Sequence, residues 1–329
     1  MADPSQSPSL SSSGPGLSDK KSNIRLADAP FNDPEGDIII RTCDNVDFSV
    51  FKWVLAYASP VFKDMFLLPQ QGVQENLKDG KPIIHTTETA EIWRTLLAFS
   101  YPMWAADLPM LNSLEEVLAV LEPSVKYMME GIEKKIRAAL VAPHFVDTEP
   151  VRVFAIACHR RLDFEARIAA RRTLHLPILG RPYIAELENI SAGIHHRLQE
   201  YQQQCGKIAC KVAAELEWIQ RESFVWFGCN ECKAQRSTSS VAIGPDGRIL
   251  AASKWWIEYL GNAATALLDR PAGATVISSE LMDEALSKAG RCMLCRSKAF
   301  GQMRDFGAMF AAEVDRVTSE VSGISLMTS

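Results

Sequence analysis

The sequence predicts an α+β protein, with a short sheet packed among helices near its start and a mainly α-helical remainder that carries one small hairpin. Three observations predict this. A β-branched run, Ile38 to Ile40, is followed by a polar turn and a second apolar stretch. From Phe51 to Leu174, apolar residues recur at spacings of three and four, punctuated by capping residues and prolines. Late in the chain, Ser240 to Leu250 reads as strand, tight turn, strand, with turn chemistry at Pro245-Asp246-Gly247.

The elements follow in order. Ile38, Ile39 and Ile40 suit a strand buried on both faces, Asp44-Asn45 supplies the turn, and Val46 to Phe48 returns. Phe51, Val54, Leu55 and Ala58 make one apolar helical face. Ser59 before Pro60 reads as an N-cap followed by proline at the first helical position, with Val61, Phe62, Met65 and Phe66 as the next stripe. Pro82 to His85 is a third strand, and Thr87 to Phe99 a helix broken at Tyr101-Pro102. Ser113 with Glu116 makes a capping box ahead of Leu114, Val117, Leu118 and Leu121. Ile132, Ile136 and Leu140 line another helix. Asp147-Thr148-Glu149-Pro150 opens the next, with Val153, Phe154, Ile156 and Ala157 inward. Asp163 is predicted to cap a helix burying Ala166, Ile168, Ala169 and Leu174. Residues 183–223 carry two more helices, the second running from about Ile194 to Arg221 without a sustained 3.5-residue repeat. Helices at Ser253–Leu268, Ser278–Ala289 and Met303–Val321 complete the chain.

The totals bound the function. The 329 residues, 47% apolar, suffice for two or three domains on a prior of ~100–200 residues each. A net charge of −5 argues against bulk electrostatic binding of nucleic acid. No apolar run approaches the ~18 residues of a membrane span, and Met1 to Arg25 has no hydrophobic leader core. A soluble chain in the cytoplasm or nucleus is expected. Its eight cysteines are then thiols or metal ligands rather than disulfides. Four segments are predicted: a disordered tail over 1–30, a compact domain over 31–142, a helical stalk over 143–223, and a C-terminal helical unit over 224–329.

Asp37, Lys52, Leu55, Ser59, Pro60 and Phe62 fall in an order that resembles the opening of a BTB/POZ domain, although Phe51 stands where that family usually has histidine. The resemblance implies a short mixed sheet flanked by helices, a partly buried pairing of Asp37 with Lys52, and a docking role: homo- or heterodimerisation with other proteins, without catalysis. The helices after residue 142 resemble the BACK-type stalk of substrate adaptors. The run from Asp37 to Leu174 is similar to a group of fungal BTB proteins that share Val153-Phe-Ala-Ile-Ala-Cys158 and Glu165-Ala-Arg…Ala-Ala170. This layout implies an adaptor for a cullin-based ubiquitin ligase. Cullin-binding BTB domains often carry an apolar-x-acid motif where Ile92-Trp93-Arg94 supplies no acid.

The strongest chemical signal is Cys229-Asn-Glu-Cys232 paired with Cys292-Met-Leu-Cys295. Each Cys-x-x-Cys turn can present two thiolates to one point, and two turns complete a closed tetrahedral zinc site. The two pairs stand much further apart in the chain than the ~15–20 residues of a zinc ribbon, so the intervening hairpin and helix must bring them together. The competing reading is four ordinary reduced thiols. Cys43, Cys158, Cys205 and Cys210 are read as core or helix-face residues, and none of the six histidines has a partner at ligand spacing. The cluster Arg152, Arg160, Arg161, Arg167, Arg171 and Arg172 is interrupted by Asp163 and Glu165 and reads as a solvated helix face rather than a nucleic-acid surface. Trp255-Trp256 is read as one core and one half-exposed tryptophan. Nucleophile-elbow, phosphate-loop and dinucleotide motifs are missing. The favoured function is a non-enzymatic protein–protein interaction module. A nuclear scaffold or transcriptional cofactor is the alternative, and a metal-dependent enzyme the third class.

Overall fold

A computed structural model describes residues 24–68, 77–102, 109–177, 180, 182–219, 224–234, 241–243 and 249–321. The chain divides into two compact units, residues 1–136 and 137–329.

The first unit is built on a mixed sheet of five described strands: β1 (Arg25–Leu26), β2 (Ile38–Arg41), β3 (Val46–Val50), β4 (Leu77–Lys78) and β5 (Lys81–His85), in the order β1-β3-β2-β5-β4. β2 and β3 are antiparallel, with Ile38 opposite Val50 and Arg41 opposite Asp47. β5 runs parallel to β2 on its other side. The hairpin turns through Asn45 at φ 60°, a left-handed conformation that asparagine tolerates. Residues 24–30, expected in the tail, instead contribute β1. Arg25 and Ala27 donate backbone N–H groups to Asn45 and Asp47, and Ala27 and Phe31 are buried. The remainder of the expected tail, 1–23, lies outside the described residues.

Five helices follow among these strands, α1 (Lys52–Ala58), α2 (Pro60–Leu67), α3 (Ala90–Ser100), α4 (Leu114–Lys126) and α5 (Glu130–Leu140); α1 packs on α2 and α3, α3 packs on α4, and the boundary between the units falls inside α5. Ser59 caps α2 as its position before Pro60 predicts, accepting from the Phe62 N–H at 3.2 Å. Ser113 caps α4 in the same way through the Glu116 N–H, but Glu116 reaches back to the N–H of Asn112 rather than to the capping residue.

The second unit is helical. It contains α6 (Pro143–Val146), α7 (Pro150–His159), α8 (Asp163–Arg172), α9 (Ala192–Ala214), α10 (Val225–Gly228), α11 (Asn230–Ala234), α12 (Lys254–Asp269), α13 (Gly273–Val276), α14 (Ser279–Ala289) and α15 (Met293–Glu320). A hairpin of β6 (Val241–Ile243) with β7 (Ile249–Ala251) precedes α12; its predicted turn at Pro245-Asp246-Gly247 lies outside the described residues. The structure does not separate 143–223 from 224–329, because α9 packs along α12 and α15. Gly206 permits the close approach: a Cβ there would stand 2.8 Å from the Leu268 carbonyl oxygen.

Three predicted details differ. Asp163 is the first residue of α8 and makes no capping bond; Leu162 holds the cap position. Helix α9 stops at Ala214, where the Trp218 indole folds back to donate to the Val212 carbonyl at 2.9 Å and satisfies one orphaned acceptor of the last turn. The final helix begins at Met293, ten residues before its predicted start, and this places Cys295 in its first turn.

Candidate metal centre and docking surface

The two Cys-x-x-Cys pairs meet. Cys229 sits between α10 and α11, Cys232 lies within α11, Cys292 holds the position just before α15 and Cys295 follows in its first turn. Their four Sγ atoms all lie within 4.8 Å of one another, with Cys229 to Cys292 at 3.4 Å and Cys232 to Cys295 at 3.7 Å. Zinc–sulfur bonds of ~2.3 Å in a tetrahedron set sulfur–sulfur edges of about 3.8 Å, so the donor set and its spacing fit a tetrahedral ion. These separations are far beyond the ~2.05 Å of a disulfide, and all four thiols are free. The four cysteines could hold a metal ion.

The surroundings favour thiolates on one side and resist them on the other. Burial works against ionising Cys229, yet the Cys232 N–H and the neighbouring thiols hold it below the ordinary thiol range. Burial pushes Cys292 up to about 11, against the Cys295 N–H. Cys295 is fully buried and is pushed up furthest. The Trp255 indole N–H beside it opposes that shift, although its geometry falls short of a formed hydrogen bond. A metal replaces these competing protons with one shared charge. The Cys292 thiol meanwhile donates to Glu231 Oε2 at 3.0 Å, on the solvent side.

Cys229 and Cys295 border an aromatic core. Trp226 stacks on Trp256 with centroids 5.8 Å apart and meets Trp255 edge-on at 5.6 Å, while Phe306 touches both Trp226 and Trp256. Both members of Trp255-Trp256 are therefore buried, at 6% and 0% exposure, where one half-exposed ring is predicted. Packing against Trp226 and the cluster covers Trp255.

In the first unit the residues singled out from the sequence divide by role. Leu55 and Phe62 are core. Pro60 opens α2. Fully buried Ser59 has a second bond that sequence reasoning missed, donating to the Tyr127 carbonyl at 2.5 Å across 68 residues. Phe62 packs on Tyr127 and Trp93, and the Tyr127 hydroxyl donates to Glu88 at 2.7 Å. Asp37 is exposed and accepts from the backbone N–H of Lys52 at 2.7 Å, not from its ammonium. The buried carboxylate is Asp47, 1% exposed, which takes two bonds from Arg41 at 2.7 and 2.9 Å and one from Lys78 at 2.7 Å. Burial alone would raise its pKa; the two cations hold it below the usual carboxylate range. A signal for this existed, since a hairpin turning at Asp44-Asn45 places Arg41 opposite Asp47.

The same unit exposes several large apolar side chains. On α1, Val54 and Leu55 point inward, while Trp53 and Tyr57, four residues apart on the outer face, are 62% and 91% exposed. Leu67 and Leu68 are exposed at the end of α2. Exposed large apolar side chains are the raw material of interaction surfaces where they form a contiguous patch.

Of the remaining cysteines, Cys158 and Cys205 are buried, Cys210 is half-buried and Cys43 is exposed; none joins a ligand cluster among the described residues. Among the described residues no helix is long and apolar enough to cross a membrane. No curated protein matches the chain. Residues 32–143 do match the family model of the BTB/POZ domain, a stretch that holds strands β2 to β5 and helices α1 to α5 but not β1, so the chain carries a BTB/POZ domain, a protein–protein interaction module, followed by a helical unit.

Proposed function

We propose that this chain is a non-catalytic assembly protein whose BTB/POZ domain pairs with a second copy through the outer face of α1. The observation that carries the reading is the exposed pair Trp53 and Tyr57 in a domain of the interaction-module family. A self-complementary aromatic face suits a two-fold interface, in which one patch meets its own copy. In the second unit, a zinc ion on Cys229, Cys232, Cys292 and Cys295 would be structural. Four thiolates close the tetrahedron and leave no position for water, which opposes a metal-dependent enzyme.

The more specific role is a substrate adaptor for a cullin-based ubiquitin ligase, supported by the order of BTB domain and helical unit. The second reading, a nuclear scaffold or transcriptional cofactor, is supported by the motif Ile92-Trp93-Arg94, which supplies no acid of its own: Trp93 is buried and Arg94 pairs with Asp28 at 3.4 Å. Both readings place the protein in the cytoplasm or nucleus. Affinity purification with quantitative mass spectrometry separates them, comparing the full chain with one lacking residues 31–142. A cullin lost with that segment supports the adaptor. Recurrent nuclear or other BTB proteins without a cullin support the scaffold.

A further inference from the structure

One open cleft is lined wholly by residues of the second unit and shares none of them with the metal centre. One face of α8, with Phe164, Arg167, Ile168 and Arg171 at spacings of three and four, lines it and continues into the turn at His175. The opposite wall is Pro271 and Ala272 with the last turns of α15. The cleft, about 630 Å³, is open to solvent and so suits a segment of extended chain rather than an enclosed small molecule.

Its charge is one-sided. Arg167, Arg171 and Arg172 line it against a single carboxylate, Asp315, one oxygen of which already accepts from the Gly273 N–H at 2.7 Å. In a chain of net charge −5 this concentration of cations runs against the average. Local structure accounts for part of it. Arg171 and Arg172 lie in the last turn of α8, where cations offset the helix dipole; Arg172 is also paired with Asp147, and Arg171 faces the Tyr201 hydroxyl. Arg167 lies a turn earlier and has no ion-pair or hydrogen-bond partner among the described residues. Phe164, one turn before it, is 68% exposed. A solvated helix face explains stray cations, but it does not explain a large exposed aromatic ring one turn from an unpartnered arginine in a concave site.

We infer that this cleft binds an acidic peptide segment of a partner protein, in which carboxylates engage Arg167 and Arg171 and an apolar side chain packs on Phe164 and Ile168. Arginine forks match carboxylates in a bidentate manner, and the ring supplies the apolar anchor that a purely electrostatic surface lacks. The inference stands independently of what docks on the BTB domain, because every residue it uses lies in the second unit.

The test is fluorescence polarisation with the full chain and a labelled peptide of alternating Asp, Leu, Glu and Phe, beside a twin carrying Lys at every acidic position. The acidic peptide is expected to bind at least about tenfold more tightly than its twin and to weaken as salt rises from about 50 to 300 mM. Arg167→Glu should lower its affinity by about tenfold and Phe164→Ser by about fivefold. Lys207→Glu, an exposed charge reversal on α9 outside the cleft, should change it by less than about twofold. All three positions are exposed, and unchanged thermal melting of each variant verifies that it folds. Equal binding of the two peptides would overturn the proposal, as would an Arg167→Glu affinity matching the parent. Displacement of the acidic peptide by a more tightly bound oligouridine would likewise overturn it, assigning the surface to nucleic acid.

Discussion

Replacing Cys295 with serine removes one of four converging sulfurs at a fully buried position beside the aromatic core. A metal present at ~1,000 times its dissociation constant adds about 4 kcal/mol to the folded state. In a unit the size of residues 137–329, each kcal/mol moves the melting midpoint by about 2–4 °C. Loss of the site therefore predicts a fall of about 8–16 °C in the transition of the second unit. The buried serine hydroxyl adds a cost of its own, ~1–3 kcal/mol, so the parent protein treated with a chelator provides the cleaner arm. The assay is elemental analysis with differential scanning calorimetry on protein purified without chelator. One metal ion per chain is expected in the parent and in Cys158→Ser, whose thiol is buried outside the cluster, and none in Cys295→Ser. A metal-free parent, or a melting curve indifferent to both chelator and Cys295→Ser, would refute the reasoning.

Further expectations concern the fold around each site. Ser59→Ala loses an N-cap and leaves the buried Tyr127 carbonyl without its partner, which predicts a loss of about 2–4 kcal/mol in urea unfolding of the first unit. Gly206→Ala drives a methyl into the Leu268 backbone and should cost about 1–3 kcal/mol in the second unit, leaving the first transition in place. Asp47 has a depressed pKa, so its contribution is present above the unfolded carboxylate value of ~3.9 and disappears as pH falls through the lower folded value. Asp47→Asn should thus be less stable than the parent by about 2–3 kcal/mol at neutral pH, with the gap closing on acidification; parallel curves across that range would contradict the pairing.

Local signals in the sequence carried much of this structure. Ile38 to Ile40, the Asp44-Asn45 turn, Ser59 before Pro60 and Ser113 before Leu114 each act within a few residues, and each forms the expected element. The cysteine spacing was legible because ligand pairs must lie on one turn, whereas the route that joins them depends on packing. The start of α15 at Met293 was hidden because its large apolar residues Met293, Leu294 and Phe300 are exposed, and only Cys295 and Ala299 face inward, so the stretch lacks a strong apolar stripe. Strand β1 is two residues long and exists through pairing with β3, which no local pattern encodes. The bond from Ser59 to the Tyr127 carbonyl is likewise a tertiary fact. The α8 face was visible as a cluster of arginines, but only the opposing wall of Pro271 and α15 turns it into a cleft.

The central claim, self-association through α1, is tested most directly by the mass of the full chain in solution. Light scattering across micromolar concentrations should give twice the 36.5 kDa chain mass for the parent and a single chain mass for Trp53→Glu/Tyr57→Glu, whose exposed positions leave the core untouched. A parent that stays monomeric over that range, or a doubly substituted chain that still pairs, would contradict it.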